Sequence, residues 1–349
     1  MHLTTLWFIL IAVLWIGYFV LEGFDFGVGA LLLALGRDET DRGVMLRTLG
    51  PLWDGNEVWL LVAGGATFAA FPEWYASMFS GFYLALLLIL VALIVRGMAI
   101  EYRNKQTDVT WRRRWDVAIC ASSALPALLW GVAFANIVRG VPLNAQHRYT
   151  GTLLTLLNPY ALLGGAVTLS LFLLHGAVYL GLKTDGEVRE RARHAARMIG
   201  PVSVGVAALF LVITQWRHGT WWTDLTAAAA AVSLLGSLVS VVRRREGWAF
   251  LATAVTLALA VVTLFGDLWP DVLPSSTSDA FSLTVRNASS SAYTLGVMTW
   301  VAGFATPVVL AYQAWTYWIF RNRVTREDVQ PVTLPPQRAD TRAPVAPSV

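Results

Sequence analysis

LALLLILVALIV, residues 84–95, is apolar at every position. A strand that crosses a bilayer alternates apolar and polar residues, because one face meets lipid and the other a polar lumen. This run does not alternate. A helix satisfies its own backbone hydrogen bonds and can be apolar on every side when lipid or other helices surround it. Working outward, the charge-free stretch grows to residues 74–95, and similar stretches cover 117–138, 158–182 and 247–266. About 20 apolar residues span the roughly 30 Å hydrocarbon core of a membrane. Only 14% of the 349 residues are charged, against about 25% in a soluble chain, too few to coat a water-exposed surface. The chain therefore reads as an all-α polytopic membrane protein.

Nine spans follow: residues 6–35, 51–71, 75–100, 116–138, 158–182, 199–216, 224–242, 247–266 and 292–320. Cytoplasmic loops are enriched in Lys and Arg, which orients the set. With the N-terminus outside, only Arg139, Arg148, Arg217 and Arg286 fall on the outer side, and Arg96 lies within a span. The rest of the 26 basic residues fall inside. That asymmetry predicts a cytoplasmic C-terminus and an odd number of spans. Residues 1–326 make one membrane domain. Residues 327–349, rich in proline and without apolar periodicity, read as a disordered cytoplasmic tail. The first apolar stretch has no basic leader and runs past Glu22 and Asp25, so it reads as a membrane helix rather than a cleaved signal. The net charge of +4 is spread over short loops, which argues against a nucleic-acid surface. A single cysteine, Cys120, excludes disulfides within the chain and a cysteine-based metal site.

Ionisable residues inside a membrane are costly, at least about 2.5–3.5 kcal/mol each at mid-bilayer, and so mark function. Four carboxylates fall in the first two spans: Glu22 and Asp25 in EGFDFGVG, and Asp54 and Glu57 in PLWDGNEVW. Each pair is spaced i,i+3, on one helix face. At 1.5 Å per residue from the cytoplasmic ends, Asp54 lies about 5 Å deep, Glu57 about 9 Å, Asp25 about 16 Å and Glu22 about 21 Å. Arg96 enters from the same side at about 6 Å, level with Asp54. This ladder suits a proton relay. The competing reading is interhelical glue, with the acids paired to Arg96 or set at a helix start where the macrodipole favours them. Gly23 and Gly27 form G-x-x-x-G, which predicts close packing of the first helix against another. Of the five histidines only His175 lies within a span, and it reads as hydrogen-bonded to a neighbouring helix rather than as a haem ligand.

EGFDFGVG, GPLWDGNEVWLLVAGGATFAAFPEWYASMFSGFY (residues 50–83), GVAFANIVRGVP (131–142) and LLNPYALLGG (156–165) together resemble subunit II of cytochrome bd-type quinol oxidases. The resemblance is dense over residues 15–182 and one of span layout beyond 199. It implies two four-helix bundles plus one additional helix, in a bacterial inner-membrane complex that oxidises quinol (ubiquinol or menaquinol) and reduces dioxygen to water. Haems b and d would sit in the partner, the haem-bearing subunit I, and this chain would bind none by itself. A small single-helix subunit is a further candidate partner, and some members hold a structural quinone in subunit II. The resemblance gives Asp25 and Asp54 a place in the route of cytoplasmic protons, and Arg96 and Glu101 a less secure one; extending it through Glu22 and Glu57 is an inference from spacing. No catalytic or metal-binding residue is expected in this chain. A proton-coupled secondary transporter is the alternative, since intramembrane acids and glycine-rich helices also mark that class.

Overall fold

The structure, a computed structural model, describes residues 2–329. Twelve helices follow one another: α1 (Leu3–Leu35), α2 (Glu39–Leu49), α3 (Trp53–Ala70), α4 (Pro72–Gly81), α5 (Tyr83–Tyr102), α6 (Val109–Arg139), α7 (Leu153–Leu156), α8 (Pro159–Lys183), α9 (Gly186–His218), α10 (Trp221–Val242), α11 (Glu246–Leu268) and α12 (Ala292–Ile319). A short hairpin, β1 (Asp271–Leu273) with β2 (Leu283–Thr284), precedes α12. Eight of the helices, α1, α5, α6 and α8–α12, are long and apolar enough to cross a membrane. The expected span at 51–71 corresponds to α3, an 18-residue helix that carries Asp54 and Glu57 and is not among those eight.

Local chemistry sets the helix ends. Asp38 accepts the Asp41 N–H at the start of α2, Asp108 the Trp111 N–H before α6, and Asn158 the Ala161 N–H before α8. Asp185 precedes α9 and accepts the N–H of the next residue, Gly186, so the helix carrying the expected span 199–216 begins at Gly186. Its first turns, GEVRERARHAAR, form a charged extension beyond the apolar part. Pro72 separates α4 from α3, since proline cannot continue a helix from within. Phe82 interrupts the apolar run between α4 and α5.

Helix α1 packs on α3 and α6, and α5 on α6, as one group; α8–α11 form a second, and both α1 and α6 pack against α8 and α11 of the latter. Glycine makes that junction close. A Cβ on Gly27 would lie 1.9 Å from the Phe172 carbonyl oxygen and 2.8 Å from the Gly176 Cα, and one on Gly23 would meet the Phe172 ring. The G-x-x-x-G face of α1 is thus packed against α8. Helix α12 lies along α1 and α3 with Leu295 its one buried residue.

The two ends differ. At one, the connections at 140–157 and 267–291 join: Val141 pairs with Ser275, and Ser77 Oγ donates to the His147 carbonyl at 2.7 Å. At the other, segments from four connections and the stretch after α12 meet in ion pairs. Asp116 binds Arg103 at 2.5 Å and Arg42 at 3.1 Å, and Glu39 binds Arg103 at 2.7 Å and Arg112 at 3.2 Å. Arg193 pairs with Glu246. Arg326 reaches both Asp38 and Asp41 at 2.7 Å, and Val329 rests against Gly43. Of the expected tail 327–349, residues 330–349 lie outside the described residues.

Candidate functional site

Four charged side chains converge between α1, α3 and α5. Glu22 and Asp25 are one turn apart on α1 and are 0% and 1% exposed; Arg96 of α5 is 1% exposed. The Arg96 guanidinium pairs with Glu22, reaches Glu57 of α3 at 3.1 Å and stacks over the Phe26 ring at 4.6 Å. Asp25 Oδ2 accepts a 2.7 Å hydrogen bond from Asn56 Nδ2. Tyr18, fully buried one turn before Glu22, accepts from the Trp130 indole at 3.1 Å.

Several polar atoms here are buried without a hydrogen-bond partner among the described residues: Asp25 Oδ1, Glu22 Oε2, and Arg96 Nε and Nη1. Burying an unsatisfied polar group costs about 1–3 kcal/mol, so such atoms gathered in one place point to use rather than accident. The carboxylates also outnumber the single guanidinium, so the cluster can accept protons without losing its only cation.

Asp54 and Glu101 are elsewhere. Both are exposed, Asp54 in the first turn of α3 and Glu101 near the end of α5. The structure therefore brings together Glu22, Asp25, Glu57 and Arg96 and leaves Asp54 and Glu101 on the surface of the chain. Arg96, expected level with Asp54, engages Glu22 and Glu57 instead. Asn56, at the centre of the polar contacts, escaped the sequence reading; its place between Asp54 and Glu57 in WDGNEVW was the available signal. The ion-paired, fully buried Asp116 was also passed over, as the first residue of its span.

Outside the apolar helices, at the start of α2, Glu39 shows what the arginine cluster does. Burial alone would raise its carboxyl pKa, but the Arg103 guanidinium, a hydrogen bond from Arg42 and the nearby Arg112 together hold it below the ordinary value. His175 uses both ring nitrogens within the protein, Nδ1 with Thr253 Oγ1 at 2.6 Å and Nε2 with the Val20 carbonyl at 3.0 Å. A second feature is an apolar cavity of about 450 Å³ between α3–α5, α1 and α6, walled by Trp15, Gly64, Gly65, Phe82 and Trp130. Trp74 lines it, 3% exposed, and its indole N–H has no partner among the described residues.

With this geometry in view, residues 3–320 match the family described as cytochrome bd terminal oxidase subunit II. The chain belongs to that family. Cytochrome bd-I ubiquinol oxidase subunit 2 of Escherichia coli K12 is 38% identical over 93% of this chain and 96% of its own. Cytochrome bd ubiquinol oxidase subunit 2 of Bacillus subtilis 168 is 40% identical over 93% of this chain and 97% of its own. The bd oxidase structure from Geobacillus thermodenitrificans shares the fold, with a TM-score of 0.75 at 17% identity over 93% of this chain and all of that one. This subunit II is thus a multi-pass membrane component of an oxidase complex, and it has a partner subunit. Family membership decides against the transporter alternative.

Proposed function

We propose that this subunit II is the haem-free partner of a haem-bearing subunit I in a bacterial inner-membrane quinol:dioxygen oxidoreductase, and that Glu22, Asp25, Glu57 and Arg96 carry part of its proton path. One observation supports the path above all: two carboxylates, Glu22 and Asp25, are fully buried in a membrane-spanning helix beside a single buried arginine. Reducing dioxygen to water consumes protons, and a buried acid that alternates between charged and neutral forms passes them on.

The asymmetry of the basic residues supports a cytoplasmic origin for these protons. Helix α3 completes nine spans, in two four-helix bundles plus α12, with the N-terminus outside; the arginine-rich end then faces the cytoplasm. Protons enter near Asp54 and Glu101, continue past Glu57 and reach Asp25 and Glu22. The exposed apolar residues of α3 and α5, among them Val58, Leu61, Leu84 and Leu88, form the face against which subunit I would cover Asp54 and Glu101. A structural quinone, which the resemblance attributes to some members, fits the apolar cavity. Its aromatic and aliphatic walls suit an isoprenoid tail, and the Trp74 N–H would donate to a ring carbonyl. Such a group would fill space and add no redox step to the path in this chain.

The test is Asp54→Asn in the intact complex. Oxygen consumption should fall while the haem b and d absorption bands persist in the purified material. Loss of haem together with turnover would make Asp54 an assembly residue and overturn its relay role. A tagged chain that elutes colourless and alone from intact membranes in mild detergent would overturn the oxidase assignment itself.

A further inference from the structure

Asn56 is held from both sides. Its Nδ2 donates to Asp25 Oδ2 at 2.7 Å and lies 3.4 Å from the Leu21 carbonyl. Its Oδ1 accepts from α12 twice, from Tyr317 Oη at 2.8 Å and from Gln313 Nε2 at 3.4 Å. Gln313 is itself fixed by Trp59, whose indole Nε1 donates to Gln313 Oε1 at 2.8 Å. An indole N–H can only donate, whereas an amide can be turned end for end. Trp59 therefore decides which way Gln313 points, Gln313 and Tyr317 decide which way Asn56 points, and the Asn56 N–H group is left facing Asp25. Turned over, Asn56 would set its oxygen against a carboxylate oxygen and its NH2 against the NH2 of Gln313. The indole needs its room: a Cβ on Gly17 would lie 2.1 Å from the Trp59 ring.

Resting on the proton-path reading above, we infer that Gln313 and Tyr317 of α12 are positioning residues for Asp25, acting through Asn56. They keep Asp25 Oδ2 as the hydrogen-bonded oxygen, so the proton that Asp25 takes up and gives off resides on Oδ1. That oxygen has no partner among the described residues. The step is balanced within the path: a proton arrives at Oδ1 and leaves from it, and Asn56, Gln313 and Tyr317 change neither charge nor bonding. It also gives α12 a task. The helix buries Leu295 alone, yet two of its polar side chains, one turn apart, reach the buried Asp25 through a single amide.

Two variants in the intact oxidase test this. Tyr317→Phe keeps the ring and loses the donor. Gln313→Glu keeps the acceptor for Trp59 and loses the donor to Asn56. Each should retain haem content and slow quinol-driven oxygen consumption about fivefold, the rate equivalent of one hydrogen bond. The decisive readout is the reduced-minus-oxidised infrared difference spectrum, where the carboxyl C=O band of protonated Asp25 is recognised by its disappearance in Asp25→Asn. With the proton on Oδ1, the C=O is Oδ2, and weakening the Asn56 hydrogen bond should move that band to higher wavenumber in both variants. An unmoved band in variants that keep their haem overturns the positioning role. So does slowing that occurs only with haem loss, which would mean that α12 merely holds the complex together. If Asp25→Asn itself respires normally and no band depends on Asp25, the proton-path reading falls and this one with it.

Discussion

The two groups of helices, α1 with α3, α5 and α6 and then α8 to α11, are built of similar lengths of apolar helix but bury different chemistry. The first buries Glu22, Asp25 and Arg96 along its length, with Arg103 and Asp116 at its ion-paired end. Within the second, the interior polar residues are neutral: Ser170, His175, Ser203, Thr214, Ser237, Thr253, Thr256 and Thr263. Most of those hydroxyls bond to backbone carbonyls or to one another. Ser203 Oγ reaches the Ser170 carbonyl at 3.1 Å, and Thr226 and Thr263 meet at 2.8 Å. Charges of the second group, such as Arg193 with Glu246, sit at its end. Joining apolar helices evidently requires no more than short hydroxyls and glycines. The buried charge of the first group exceeds that requirement, which is why the proton path is proposed there.

The contrast can be broken most forcefully at Arg96. Arg96→Leu strands Glu22 as an unpaired buried acid, and losing one partner of a buried pair costs about 3–5 kcal/mol. Thermal unfolding of the purified complex should show that loss, and unchanged stability would place the cluster in contact with water. Next comes Asp25→Asn, which removes the titrating group and leaves its volume. Oxygen consumption should drop roughly a hundredfold at unchanged haem content, the scale of a lost proton-transfer group. Ser203→Ala, the matching change in the second group, removes a neutral interhelical bond worth about 0.6 kcal/mol and should leave turnover intact. A clear loss of turnover there would erase the distinction between the groups.

The smallest effect concerns pH. Glu39 titrates below its ordinary value because its arginine neighbours outweigh its burial. The unfolded chain then takes up the proton first as pH falls. The stabilisation is complete above the unfolded value of about 4.3 and is lost as pH drops through the lower folded value. Stability measured against pH for the protein and for Glu39→Gln should differ near neutrality and converge in that acid window.

Much of this was readable in advance because membrane spans are local. A helix that must satisfy its backbone in lipid announces itself by length and lack of charge, and an acid inside such a stretch stands out. Glu22, Asp25 and Arg96 were visible for that reason, and so was the close glycine face of α1. The early start of α9 at Gly186 was missed because its first turns are polar, and hydropathy does not see a helix outside lipid. Depth counting also set Arg96 beside Asp54, when its partners are Glu22 and Glu57. Rise per residue gives height along one helix but not the rotation of its neighbours.

The sequence alone determined that this chain is a helical membrane protein, which side of it is basic and which apolar stretches carry acids, because each of these is a property of a single segment against its solvent. Tertiary structure decided which acid meets Arg96, that Asp54 and Glu101 stay on the surface, and that Asn56 meets Tyr317 across 261 residues. Those outcomes depend on the rotation and approach of packed helices, which glycine spacing and side-chain volume set jointly and no single segment encodes.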